Sequence, residues 1–283
     1  MSDDFDAGWL ALREPYDAAA RSQALAEALI ATLPARPRLL DLGAGSGSLF
    51  RWLAPRIYRA QAWTLFDADA ALIDAAFETI ALWAETLGLK VTAPGRALLV
   101  HAPGGAWRFE AKRGDLAETA ALPLFGHDAV VNSALCDLVS RPWLAELATR
   151  LRVPFYAALM VDGRVSWRPA LPGDRAVAAA FRRDQGRDKG FGPALGHRAP
   201  SSLVALFAAQ GFRVRSAASD WRIGPRDSAM LSAMLHGAAD AASDALPRHI
   251  GRFAAWRQAR MRHGDRGRLS LVLGHRDVLA IPR

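Results

Sequence analysis

The sequence predicts an α/β fold: a doubly wound, mostly parallel sheet with helices on both faces. Three observations carry that expectation. Short apolar runs rich in Val, Leu and Phe alternate with longer segments of helical periodicity, the pattern that builds parallel sheets through crossover helices. The first such run, "RLLDLG", leads straight into glycines at 43, 45 and 47 and then a helix. The next run, "AWTLFD", ends in a carboxylate, Asp67. In such sheets, ligands lie beyond the carboxyl ends of the strands where strand order reverses.

Residues 9–33 hold apolar side chains at helical spacing interrupted by Pro15, predicting one or two leading helices. Residues 38–43 are a buried strand and 48–57 a helix. Residues 62–67 form a second strand, and 68–88 a long helix stopped by Gly88. "RALLVHA" and "AWRFEAKRGD" flank Pro103-Gly104-Gly105, which predicts a hairpin around a third strand. "DAVVNSAL" (128–135) is strand four, a helix runs over about 142–151, and "PFYAALMVDG" (154–163) is strand five. Residues 164–200 are Pro/Gly-rich and charged, an insertion. A helix at 201–210, a turn at Gly211 and a strand at 212–221 follow. Helical stretches near 227–245 and 247–262 precede a closing strand pair over 269–282. The expected organisation is one domain, 1–283: leading helices to 35, a cofactor-binding half at 36–163, a lid at 164–200, and a C-terminal part from 201 with a helical insertion at 222–265.

Composition narrows the function classes. The chain has 283 residues, 51% hydrophobic and 23% charged, long enough for one full core. It has no apolar run of bilayer-crossing length, and the acidic start "MSDDFDAGWL" lacks signal-peptide order, so a cytoplasmic protein is expected. Cys136 is the single cysteine, which excludes an internal disulfide, and no Cys/His cluster has zinc spacing. The net charge of +8 points to anionic partners. Of 36 cations only Lys90, Lys112 and Lys189 are lysines, the rest being arginines spread along the chain. That bias accompanies abundant alanine and reflects coding composition. An anionic small molecule would use the same charge, and nucleic acid stays as the alternative.

Three ligands compete for the glycine loop. A phosphate loop needs Lys-Ser/Thr after its last glycine, and Ser48-Leu49 stands there. A dinucleotide fingerprint needs G-x-G-x-x-G; Gly43 and Gly45 fit, but Ser48 takes the third place. The third reading covers more residues. "DLGAGSGSL" resembles the first motif of class I S-adenosylmethionine-dependent methyltransferases, an acidic residue followed by G-x-G-x-G. Glycines let the backbone approach a ligand without Cβ contact. The resemblance implies a Rossmann-like, seven-stranded sheet whose last strand is antiparallel. It implies a cofactor site of Asp41, Gly43, Ala44, Gly45 and Gly47, with Asp41 on the cofactor ammonium, and of Asp67 and Ala68, with Asp67 on both ribose hydroxyls. Spacing of Asp67 alone does not separate this from a nicotinamide cofactor. "KRGDLAE" resembles the segment after strand three, which gives Asp115 and the Leu116 amide to the adenine. "DAVVNSALCDL" resembles the fourth-strand motif, which brings Asn132 and Ser133 beside the transferring methyl. Asp128 starts that strand, at the wrong end for the site, and is read as structural.

Nucleic-acid amino methyltransferases carry an Asn/Asp-Pro-Pro-aromatic tetrad where this chain has "NSAL". That absence argues against base N-methylation and suits a small acceptor methylated on nitrogen or oxygen. Asp137 is the first acid/base candidate, with Asn132 beside it; a helix cap is the competing role for Asp137. Cys136 reads as a small buried hydrophobe. Arg187, Lys189 and His197 sit in a glycine-rich segment, 182–201, suited to a mobile lid over an anionic acceptor. Trp221 opens a second insertion, 219–242, that forms the opposite wall or a homodimer contact. RNA or protein methylation, and cofactor binding without catalysis, are the alternative functions. No metal site is expected.

Overall fold

The computed structural model describes residues 7–283; the acidic residues 1–6 of the expected leading segment lie outside the described residues. Two helices open it, α1 (Ala7–Ala20) and α2 (Gln23–Ile30). They part at Arg21-Ser22, where the Ser22 hydroxyl accepts from the Leu25 N–H, and not at Pro15, which stands inside α1. Alternation then follows: β1 (Arg38–Leu42), α3 (Ser48–Ile57), β2 (Gln61–Asp67), α4 (Ala70–Thr86), β3 (Lys90–Thr92), β4 (Ala97–Ala102) and β5 (Gly105–Arg113). After these come β6 (Ala129–Ser133), α5 (Arg141–Arg150), β7 (Phe155–Arg168), α6 (Asp174–Gln185), α7 (Ala199–Ala209) and β8 (Arg213–Ala218). The chain closes with β9 (Trp221–Ile223), α8 (Ser228–Ala245), α9 (Ile250–Asp265) and β10 (Ser270–Ile281).

One sheet holds these strands in the order β3-β4-β5-β2-β1-β6-β7-β10-β8, with β9 on β10. From β5 across to β7 the neighbours are parallel; β10 is antiparallel to β7, β8 and β9. The fold is thus doubly wound and Rossmann-like with an antiparallel last strand, as expected. Strand order reverses between β1 and β6. The period of two sorts β1 and β6 side chains between two cores. Leu39, Ala129 and Val131 face the core under α2, α3 and α4; Leu40, Leu42 and Val130 face the core under α5 and α7.

Four expectations are corrected. The sheet has ten strands among the described residues, not seven: β3 and β4 extend one edge, and β9 is added to β10. The closing strand pair is a single strand of 12 residues with two register irregularities. Gly274 does not turn it. A Cβ there would lie 2.2 Å from Asp162 Oδ1, so the glycine serves a close approach of β10 to β7. Strand five runs on to Arg168, and the expected lid begins with that extension and α6. Together with β9, α8 and α9 they bury a third core around Trp167, Trp221, Phe253 and Trp256.

Candidate active site

The loop between β1 and α3 lies at the reversal of strand order. Its backbone is tied to the end of β2: Gly43 and Ala44 donate to the Phe66 carbonyl at 2.8 and 3.3 Å. Asp67 finishes the tie, Oδ2 accepting from the Gly45 N–H at 2.8 Å and Oδ1 from the Asp69 N–H at 3.1 Å. Two glycines are required by geometry. Gly47 has φ +77° and a Cβ would lie 2.8 Å from Ile80 Cδ1. Gly45 has φ +52° and its open side faces Leu10 of α1, which lies 3.4 Å from where a Cβ would be.

Helix α1 therefore roofs the loop. Glu14 is ion-paired with Arg51, Arg51 also donates to the Ser46 carbonyl, and the Trp52 indole N–H donates to the Ala18 carbonyl. Beneath this roof stands Asp41, 1% exposed, with neither carboxylate oxygen hydrogen-bonded. Burial pushes its pKa up to about 8; nearby Arg21 opposes the rise and Asp67 adds to it. Arg21, at the break between α1 and α2, is equally buried. Its Nη2 donates to Ser48 Oγ at 3.0 Å and to Ser133 Oγ at 3.1 Å, while Nε and Nη1 have no partner.

At the end of β6, Asn132 is fully buried; its Oδ1 faces Cys136 Sγ at 3.6 Å and its Nδ2 is unpartnered. Cys136 is buried too, and desolvation raises its thiol pKa, so it is a poor nucleophile. Asp137 is buried with Oδ1 unpartnered; desolvation pushes its pKa up to about 6 against the Asp137 and Val161 backbone N–H groups and the Arg13 charge. The helix-cap position before α5 is filled by Ser140, whose hydroxyl accepts from the Trp143 N–H, so Asp137 is no cap. Asp115 is exposed, with Oδ1 accepting from the Ala117 N–H; Leu116 is buried and its carbonyl accepts from the Trp143 indole. Ala68 gives its carbonyl to Arg113. Asp128 accepts from the Arg38 N–H at the start of β1, a strand tie as expected.

The comparisons with known proteins enter at this point. No family model matches the chain, and no curated relative does. Among solved structures it is similar to an S-adenosylmethionine-dependent methyltransferase from Thiobacillus denitrificans in complex with S-adenosyl-L-homocysteine. That likeness has 18% identity and a TM-score of 0.48, covering 99% of this chain and 100% of that one. A putative sarcosine dimethylglycine methyltransferase from Galdieria sulphuraria is similar at 14% identity and TM-score 0.44, covering 92% and 84%. A further methyltransferase of that cofactor, from Geobacter sulfurreducens with S-adenosyl-L-homocysteine, is similar at 18% identity and TM-score 0.42, covering 93% and 92%. At such distances the likeness concerns overall shape, and the fold assignment here rests on strand order and direction.

The expected acceptor residues are scattered. Segment 182–198 docks beside the Asp137 loop through Leu195 N–H to the Val139 carbonyl (2.9 Å) and Gly196 N–H to the Asp137 carbonyl (2.8 Å). Its cations lie outward: Arg187 is exposed and ion-paired with Asp184, His197 is exposed, and Lys189 is half-buried. The roof over the glycine loop is α1 and not this segment, because residues 174–185 are held as α6 against α8. Trp221 is 2% exposed and its indole N–H donates to Asp17 at 3.0 Å. It anchors α1. Asp17 also pairs with Arg13 at 2.9 Å, the Arg13 guanidinium lies 4.9 Å from the Trp221 ring centre, and the His275 ring centre also lies 4.9 Å from it.

Arg13, Asp17 and Arg21 went unrecognised in the sequence. Their spacing of four, with alternating sign, looks like a solvated ladder on a surface helix. The distinguishing signal is that "WLALREPYD" also offers Trp9, Leu12 and Tyr16, a second apolar stripe that must be covered. A helix packed on two sides places its polar row inside.

Proposed function

We propose that this protein is an S-adenosylmethionine-dependent methyltransferase of the class I type acting on a small-molecule acceptor. The observation that carries the reading is Asp41: a buried carboxylate with no hydrogen bond, at the end of β1, under a loop whose Gly45 leaves open backbone. An uncompensated buried carboxylate is costly, and a cationic ligand group relieves it. The residues fit the cofactor. Asp41 would hold its ammonium, the Gly43–Gly47 backbone its methionyl chain, Asp67 the ribose, and Asp115 with the Leu116 amide the adenine.

When bound, the cofactor supplies an activated methyl on a sulfonium, so the protein's contribution is orientation and exclusion of water. Roof helix α1 excludes water from above the loop. Asn132 and Ser133 stand at the strand end where the acceptor approaches, and Asn132 Nδ2 orients an acceptor lone pair. Asp137, raised toward pH 6, takes the proton from a hydroxyl acceptor; an amine acceptor, already neutral, would need only orientation. The burial of Asp41, Asn132 and Asp137 supports a small acceptor over a polymer, for which an open groove would be required.

Calorimetry with S-adenosyl-L-homocysteine and with NAD tests the cofactor. Micromolar binding of the first and none of the second is expected, and NAD binding alone refutes the proposal. Mass spectrometry of a cell extract incubated with the protein and methyl-labelled cofactor then identifies the acceptor. Label in RNA or protein would refute the small-molecule reading.

A further inference from the structure

The cations of this chain are spread along it, but its net charge is not. Residues 1–163 carry a net charge of −4 and residues 164–283 one of +12. Coding composition explains the choice of arginine over lysine but not this separation of sign. The excess is densest over residues 248–268, which hold seven arginines and one acidic residue, Asp265. Two of the seven are paired, Arg257 with Asp240 and Arg260 with Asp174. Arg248, Arg252, Arg262, Arg266 and Arg268 are exposed and have no ion pair among the described residues.

Helix α9 arranges these cations. Phe253, Trp256 and Arg260 are its buried residues. At 3.6 residues per turn, Arg252, Arg262 and Arg266 fall within about 80° of one another, along a flank about 20 Å long that also carries Ala255 and Ala259. Beside that flank lies a cavity of about 320 Å³, walled by Leu171, Pro172, Val177, Phe253 and Trp256, with Arg252 the charged member of its lining. The Trp256 indole N–H is committed to Asp174, so it offers no donor to the cavity. Two large apolar side chains of the same helix, Ile250 and Met261, are 61% and 43% exposed. Desolvation, and then the charges of Arg268, Arg260, Arg266 and Arg262, lower the His263 pKa, so these cations share one field.

From this juxtaposition we infer that the exposed face of α9 docks on an anionic phospholipid surface. The guanidinium groups meet the lipid phosphates, whose geometry they match, while Ile250, Met261 and the cavity take apolar contact at the boundary of headgroup and acyl chain. A nucleic acid would share the phosphates. It would also use exposed rings for base stacking and hydrogen-bonding groups for base edges. Both Phe253 and Trp256 are buried, and the cavity walls are apolar apart from Arg252. Because residues 1–163 are net negative, attraction is confined to the C-terminal part and orients the protein on the surface. None of these residues belongs to the candidate active site, so the inference stands apart from the methyltransferase reading.

The test is co-sedimentation with vesicles of phosphatidylcholine alone and of equal parts phosphatidylcholine and phosphatidylglycerol. The unmodified protein should bind the anionic vesicles at about 0.1 M salt and leave them at about 1 M, where the Debye length is about 3 Å. It should not bind the neutral ones. One arginine near such a surface is worth about fivefold in affinity, so Arg252→Gln, Arg262→Gln and Arg266→Gln together should weaken binding roughly 100-fold. The control makes the same change at Arg36, Arg96 and Arg141, which are also exposed and have no ion pair among the described residues. It removes equal charge and should leave affinity within about threefold. All six side chains are exposed, so both triple variants should keep the melting midpoint. Equal losses in the two triples would reduce the attraction to net charge and overturn the inference. No binding to anionic vesicles, or equal binding to neutral ones, would overturn it as well. A hairpin RNA bound more tightly than the vesicles at the same salt, with the same loss in the α9 triple, would assign the face to nucleic acid instead.

Discussion

Replacing Asp41 by asparagine should stabilise the ligand-free protein while damaging its binding site. Burial raises this carboxyl from its ordinary 3.8 to about 8 in the folded chain. In the unfolded chain it titrates normally. Between those values the native state holds a proton that the unfolded state has released, so stability falls as pH rises. The slope for one such group approaches about 1.4 kcal/mol per pH unit, which for a domain of this size is roughly 3–5 °C of midpoint per unit. A neutral amide at this position carries no such penalty. The two proteins should melt within a few degrees of each other near pH 5, and the variant should pull ahead steadily up to about pH 8, where the gap levels off. Scanning fluorimetry of both proteins from about pH 5 to about pH 9 measures this directly. Saturating S-adenosyl-L-homocysteine should close the gap by stabilising only the unmodified protein. Parallel curves across the whole range would refute the reasoning, because they would mean that Asp41 is already compensated within the fold.

Other perturbations follow from the same geometry. Gly47→Ala forces a side chain to φ +77° and within 2.8 Å of Ile80 Cδ1; a loss of about 1–3 kcal/mol, read by denaturant titration, is expected, and no loss would mean that α3 shifts freely. Asp67→Ala removes the acceptor of the Gly45 and Asp69 N–H groups. It should lower stability by about 1–3 kcal/mol besides weakening cofactor affinity about 10- to 1000-fold; an unaltered melting point would deny its hold on the loop, and an unaltered affinity its hold on the ribose. For a hydroxyl acceptor, kcat/KM should rise with pH through about 6 as Asp137 ionises. Asp137→Asn should abolish that limb and cost roughly 10²- to 10⁴-fold; a variant with the same pH profile would remove Asp137 from proton transfer.

What could be anticipated from the sequence was what local pattern encodes. The strand-loop-helix around Gly43–Gly47 and the strand-end positions of Asp41, Asp67 and Asn132 all depend on period and spacing within a few tens of residues. Strands β7 and β10 run longer than the expected strand 154–163 and strand pair over 269–282, and each passes through a glycine, 163 and 274, a residue that inside a strand pattern more often marks a break. In the structure Gly163 instead makes room for His197 and Arg182, and Gly274 for Asp162 and Arg164. Asp67 was assigned one task, ribose, since its bond to Gly45 spans 22 positions and leaves no periodic trace. The roof was invisible for a similar reason. The second apolar stripe of Trp9, Leu12 and Tyr16 says that this helix is covered, but not by what: Asp17 meets Trp221 and the Ser22 N–H meets Asp277, each more than 200 positions away. Conversely, Arg187, Lys189 and His197 were conspicuous in sequence because of charge and flanking glycine, which mark a surface turn as readily as a lid.

Strand β10 has two neighbourhoods. Its C-terminal half lies between β7 and β8 in the main sheet, where Asp277 accepts from the Tyr156 hydroxyl, the Leu159 N–H and the Ser22 N–H. Its N-terminal half runs out with β9 and the far end of β7 to carry the third core. A single backbone thus serves as the hinge pin between two cooperative units. The outer unit, with Trp221 at its root, grips α1 through Asp17, while the Glu14–Arg51 pair and the Trp52–Ala18 bond hold the same helix to α3 beside the glycine loop. Helix α1 is thus the strap between the two units, and β10 is the backbone they share.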